Sequence, residues 1–291
     1  MWMPHWAGLN GNGIPFFNIG LFDFGPAMFY FIIGLSLVPA YQKSVRRVGK
    51  KGACVKLFYR NCTIIGIAAI GVFFTNLYLW RSDWSHFASI GVTGILLIPF
   101  LHLDTKQRLA AAVAILITYQ TFRVQLFELL GGSEYAGHGI SSFGGIAACV
   151  GFSGAALLTT VLSDLRRKSL WRYAGGATVL ALSAVIAARI IGIRYEQYNL
   201  PYLLAALAAF SAVFGALCLI NKLFKDKPAP VLSAIGRSML YFLLLSLLLG
   251  ALCDALFTPT RINLVISLLI SYSVFLAAAF LCEKYQSVFK M

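Results

Sequence analysis

Residues 201–222 read PYLLAALAAFSAVFGALCLINK, with a single charge, Lys222, at the far end. The run does not alternate with a strand's period of two, and it matches the roughly 20 residues that a helix needs to cross a bilayer. A helix apolar on every side belongs in a protein core or in lipid, not on a wet surface. Pro201 opens the run, where a missing backbone N–H does no harm. The segment is read as a membrane-spanning helix.

Working outward, similar apolar runs predict helices at about 24–42, 56–80, 85–103, 108–127, 141–163, 171–193, 201–222, 232–256 and 262–283. The composition agrees, at 59% hydrophobic and 12% charged residues, where a soluble domain carries about 25% charged. In lipid an unpaired backbone is prohibitive, so only helices or closed barrels remain. Runs this long and without alternation exclude the barrel. The expected fold is all-α: a polytopic integral membrane bundle of about nine transmembrane helices over 23–291, preceded by an external or interfacial segment, 1–22. That segment holds Trp2, Trp6, Phe16 and Phe17 but no Lys or Arg. It therefore lacks the positive n-region of a signal peptide and suits the membrane interface.

The net charge of +14 does not point to nucleic acid, because the basic residues fall in short loops between the apolar runs. Lys43, Arg46, Arg47, Lys50 and Lys51 share one loop, Lys106 and Arg108 a second, and Arg166, Arg167, Lys168 and Arg172 a third. Lys222, Lys225 and Lys227 form a fourth, and Lys284 and Lys290 close the chain. On the opposite side lie Arg81, Arg123, Arg194 and Arg261. This asymmetry places the N-terminus outside and the C-terminus in the cytoplasm. The cysteines, Cys54, Cys62, Cys149, Cys218, Cys253 and Cys282, have no metal-ligand spacing and read as small apolar fillers. No metal is expected.

Ionisable groups inside apolar runs are costly and mark candidate sites. Asp23, Arg60, Arg123, Arg189, Arg237 and Asp254 are of this kind. Arg60 and Arg237 lie close enough to the cytoplasmic face to snorkel, and Asp23 stands where the helix dipole favours a carboxylate. The outward segments carry His5, Asn10, Asp83, His86, Glu128, Glu134, Tyr135, His138, Tyr195 and Glu196. His138 lies in the glycine-rich stretch 131–139, readable as an external pocket or as a loop.

The run Asp23-Phe24-Gly25-Pro26-Ala27-Met28-Phe29-Tyr30-Phe31-Ile32-Ile33-Gly34-Leu35-Ser36 resembles the "D-hydrophobic-x-P-x-F-x-F-I-x-G-x-S" helix of the transmembrane acyltransferases. That superfamily includes heparan-alpha-glucosaminide N-acetyltransferase and bacterial relatives. Arg60-Asn61-Cys62-Thr63-Ile64-Ile65-Gly66 is similar to its "R-x-x-x-L-x-x-G", and the helix from Trp84 to Ile90-Gly91 to its "L-x-x-I-G". Gly236-Arg237-Ser238-Met239-Leu240-Tyr241 resembles "G-x-N-x-L-x-x-Y" without the asparagine. The motifs occur in the family's order over about residues 5–250. Members carry a further helix before the catalytic histidine, which this chain does not match. Nine helices with an external N-terminus is what a ten-helix member becomes without its first.

The resemblance implies an acetyl or acyl transfer from cytoplasmic acetyl-CoA to an amino sugar or polysaccharide outside, in a bacterial inner membrane. It implies His5 as the catalytic residue, with Asn10 and Asp23 following in the family's order at a longer spacing. His5 would act as general base or carry the acetyl group, and Asp23 would orient the imidazole. Arg46, Arg47, Arg60, Lys222, Lys225 and Arg237 are the candidate contacts to the phosphates of acetyl-CoA. Expected partners are the lipid bilayer, acetyl-CoA, the sugar acceptor and a second copy of the chain as a homodimer. The alternative from another class is a small-solute transporter or a non-catalytic membrane protein. The sequence shows no internal repeat of the kind transporters use.

Overall fold

A computed structural model of the protein describes residues 25–79, 86–129, 145–193 and 198–223. The segment 1–22 and the helices expected at 232–256 and 262–283 lie outside the described residues. Every described element is helical. They are α1 (Gly25–Leu79), α2 (His86–Leu97, continued by a 3-10 turn Ile98–Phe100), α3 (Thr105–Leu129), α4 (Gly145–Lys168), α5 (Leu170–Ile191) and α6 (Leu200–Leu223). Five stretches are long and apolar enough to cross a membrane: Ala27–Ile70, Thr105–Leu126, Gly145–Lys168, Leu170–Ile191 and Leu200–Lys222. Phe87–Phe100 is a shorter apolar helix. The chain is of integral membrane type, and each expected helix that falls in the described range has its counterpart.

The main departure from expectation is at residues 43–55, where the charges predict a loop. α1 continues through them and breaks only at Gly49, with φ 74° and ψ 172°. That conformation is open to glycine because it has no Cβ. The break folds α1 into two arms, 25–48 and 50–79. Tyr41 and Cys54 meet side chain to side chain, whereas on a straight helix they would be about 20 Å apart. A basic hairpin therefore reverses at one residue.

α4 is the hub. Ala147, Ala148, Cys149, Gly151, Ser153, Gly154, Ala155 and Ala156 are all buried on it, and such small side chains let neighbouring helices approach closely. The first arm of α1 runs parallel to α4. Tyr30 stacks on Phe152 with ring centroids 4.0 Å apart, Gly34 lies against Ala156 and Thr159, and Ser163 Oγ donates to Leu35 O at 3.1 Å. α3 runs antiparallel to α4. A Cβ on Gly151 would fall 2.6 Å from the Tyr119 ring, and one on Gly154 would fall 2.8 Å from Leu116. α2 meets the second arm of α1 through Gly91 and Gly94, which face Ile65 and Asn61.

α5 and α6 pack through aromatic rings and one buried hydrogen bond. Phe31 contacts Phe210 and Phe214, each at 6.1 Å, and Tyr173 Oη donates to Ser211 O at 2.7 Å. α5 turns Trp171, Val179, Leu182, Ile186 and Ile190 outward, the apolar face that lipid requires. All these contacts fall within one compact unit, residues 23–217. The up-and-down course gathers Gly49, the α2–α3 turn and the α4–α5 turn at one end, called here the elbow end. The starts of α1, α2, α4 and α6 lie at the opposite end.

Candidate functional site

Two features stand out, one at each end of the unit. At the elbow end, basic residues from two separate stretches of sequence converge. Lys43, Arg46, Arg47, Lys50 and Lys51 surround Gly49. α4 ends on Arg166, Arg167 and Lys168, where cations favour the helix C-terminus. Arg167 Nη1 donates to Gln42 Oε1 at 3.0 Å, which ties that turn to the first arm of α1. Arg166 lies 5.8 Å from the Phe214 ring, and Ser169 caps α5 by accepting from Arg172 N at 3.1 Å.

The acids at this end serve the fold. Asp104 Oδ1 accepts from Gln107 N at 2.8 Å, and Gln107 Oε1 accepts from Asp104 N at 3.1 Å. This reciprocal capping box starts α3. Asp164 pairs with Arg108, whose side chain is 4% exposed, and accepts from Thr105 Oγ1 at 2.8 Å.

Of the residues expected to bind acetyl-CoA, Arg46 and Arg47 stand together on the last turn of the first arm. Arg60 is exposed on the second arm, about 16 Å along the axis from Gly49, so it is not part of the same cluster. Lys222 is in the last turn of α6, in the part of the chain beyond the compact unit. Lys225 and Arg237 lie outside the described residues, and so do His5, Asn10 and Asp23.

The second feature is a buried polar cluster near the opposite end. Cys149 Sγ donates to Gly145 O at 3.4 Å and lies 3.8 Å from Ser89 O. Ser89 and Thr93 of α2 adjoin the thiol. Tyr30 reaches in from α1 toward Ser89 and Cys149, and Tyr119 from α3, with Arg123 one turn beyond. Phe152 meets Tyr198 at 5.2 Å, and Tyr198 meets Tyr202 at 5.7 Å.

Tyr198 has φ 46°, a left-handed conformation that a bulky residue seldom adopts. The local hydrogen bonds hold it there. Asn199 Nδ2 donates to Gly192 O at 2.8 Å, Tyr202 N donates to Asn199 Oδ1 at 3.2 Å, and Leu200 N donates to Gln120 Oε1 at 2.9 Å. Below the cluster, Asn61 is 2% exposed, with its amide pressed on Gly94.

One signal for this cluster is present in the sequence. Asn61 stands in the middle of an apolar run, and Gly91 and Gly94 are spaced to receive it. Among the described residues no three His, Cys, Asp or Glu side chains come together as a metal site would need. Compared with protein-family models, curated proteins and solved structures, the chain has no match.

Proposed function

We propose that this chain is a membrane-embedded acyltransferase. It takes an acetyl group from acetyl-CoA at the elbow end, on the cytoplasmic side, and passes it to an amino sugar or polysaccharide at the opposite, external face. The observation that carries the reading is the gathering of Lys43, Arg46, Arg47, Arg167 and Lys168 at one end of the compact unit. The pyrophosphate and ribose phosphate of CoA are polyanions, and clustered guanidinium groups bind them with charge-assisted, bidentate hydrogen bonds. The same charge asymmetry supports an elbow end in the cytoplasm and an external N-terminus; that the membrane is a bacterial inner membrane rests on the family resemblance. The choice of acyl transfer over other uses of a basic face rests on the ordered motifs from Asp23 through Tyr241.

Under this reading His5 acts on the acceptor as general base, with Asp23 holding its charge and Asn10 beside it in sequence order. Protein purified in detergent should bind acetyl-CoA and transfer label from it to glucosamine-type acceptors. His5→Ala should lower transfer by about 10²–10⁴-fold and leave acetyl-CoA binding intact. Wild-type transfer by His5→Ala would remove the histidine from the mechanism. Absence of acetyl-CoA binding by the wild type would remove the reading altogether.

A further inference from the structure

Most buried hydroxyls in this unit are satisfied by nearby carbonyls. Ser153 Oγ donates to Val150 O at 2.7 Å, Thr159 Oγ1 to Ala155 O at 3.1 Å and Thr160 Oγ1 to Leu157 O at 2.7 Å. Tyr173, 2% exposed, donates to Ser211 O. The exceptions include Ser44 and Ser211, and several others gather around Cys149. The hydroxyls of Tyr30, Thr93 and Tyr119 and the amide nitrogen of Asn61 are all buried without a hydrogen-bond partner in the protein. Tyr30 lies beside Ser89 and Thr93 beside Cys149, but neither hydroxyl completes a well-formed hydrogen bond there.

These residues are exposed by 1% (Tyr30), 0% (Thr93), 0% (Tyr119) and 2% (Asn61). Buried polar groups are almost always paired, with protein or with an ordered molecule. Three of these groups, on three helices, adjoin the Cys149 thiol, and Asn61 lies against Gly94, next in sequence to Thr93; together they mark a place where something else completes the bonding.

We propose that Tyr30, Thr93 and Tyr119, with Asn61 below them, line an internal site for a neutral hydroxyl-bearing ligand at the end of the bundle opposite the elbow. The chemistry of the lining selects that class. Tyrosine and threonine hydroxyls both donate and accept, and the Asn61 amide nitrogen only donates. An O–H group can accept from the amide and either accept from or donate to the hydroxyls, so it fits this lining in any orientation of the hydroxyl protons. These four side chains are uncharged, and among the described residues Arg123 adjoins Tyr119 from the turn beyond. The O–H has two sources: bound water, which typically makes about three such bonds, or a hydroxyl of a sugar entering from this face. The site stands whether or not the chain transfers acyl groups.

The test uses intact protein in detergent and two independent readouts. Radiolytic hydroxyl labelling read by mass spectrometry modifies buried rings that contact bound water or bound solute. Tyr30 and Tyr119 should be labelled several-fold more than Tyr173, which is equally buried but bonded to the protein. Protection of Tyr30 and Tyr119 on adding glucosamine assigns the O–H to a sugar, and unchanged labelling assigns it to water. In the second readout, Tyr30→Phe and Tyr119→Phe should each lower the apparent melting temperature by about 2–4 °C, the shift expected for one lost hydrogen bond. In a dry site, deleting an unpaired hydroxyl would instead raise it. Labelling of both tyrosines at the Tyr173 level, or a raised melting temperature in both variants, overturns the proposal.

Discussion

Replacing Gly34 by alanine tests the packing on which the rest of the unit depends. A Cβ at position 34 would lie 2.6 Å from Thr159 Cβ and closer still to the Ala156 carbonyl oxygen. Carbon atoms pack best at about 3.5–4.0 Å, and one of the two obstacles is backbone, so a rotamer change does not relieve the clash. The first arm of α1 and α4 must separate by about 1 Å, which forfeits up to half the dispersion attraction between the atoms that face each other along the seam. Overpacking of this kind costs about 1–3 kcal/mol. For a unit of this size that corresponds to a fall of roughly 3–10 °C in apparent melting temperature.

Thermal-shift measurement in detergent gives the number, with Gly66→Ala and Gly175→Ala as controls. At both control sites a new Cβ meets nothing within 4 Å, and alanine is the better helix former, so those variants should melt at or slightly above the wild-type temperature. The double variant Gly34→Ala/Thr159→Gly should recover part of the loss, because one of the two clashes is gone. If Gly34→Ala melts with the controls, the two helices do not approach as described.

Three further outcomes follow from other parts of the structure. Asp164→Asn strips the buried Arg108 of its countercharge and should destabilise by about 3–5 kcal/mol, with Thr105→Val costing less. Equal stability of the two variants would mean that the charge is not the tie. Arg46→Gln together with Arg47→Gln should weaken acetyl-CoA binding, and more so at low salt because charge contacts are screened. Titration at two ionic strengths decides this, and an unchanged affinity removes the elbow from the site. Val48→Cys should react with an impermeant thiol reagent only from the cytoplasmic side, and Ala136→Cys only from outside. Reaction of both from one side would sink the proposed orientation.

The positions of the helices can be read from the sequence because apolar run length is a strong signal in a lipid-facing chain. The expected 201–222 and the observed Leu200–Leu223 differ only at their ends. The elbow reads as a loop because seven charges between 43 and 60 suggest solvent. Yet Lys and Arg are good helix formers, and only Gly49 supplies the left-handed turn. The basic cluster is legible as a count of loop charges, but its joining through Arg167 and Gln42 is not, since those residues are 125 positions apart. The polar cluster around Cys149 escapes the sequence for a related reason. Tyr30, Ser89, Thr93 and Tyr119 each look like ordinary members of apolar runs, and only the fold brings them to one place.

The neighbours Ser163 and Asp164 on α4 work as a register gauge. Ser163 takes hold of Leu35 O on α1, and Asp164 holds Thr105 and Arg108 on α3. Two helices made at different times during synthesis are thus indexed by consecutive side chains of a third. A slip of either partner by one turn, about 5.4 Å, would release its half of the gauge and leave a hydroxyl or an arginine stranded. The other buried hydroxyls of α4, on Ser153, Thr159 and Thr160, bond to carbonyls of α4 itself and accept any alignment. The hydrogen bonds that index α4 against α1 and α3 are therefore concentrated in a span shorter than one helical turn, at the basic end, while further along α4 the alignment with these two helices rests on the close packing at Gly34, Gly151 and Gly154.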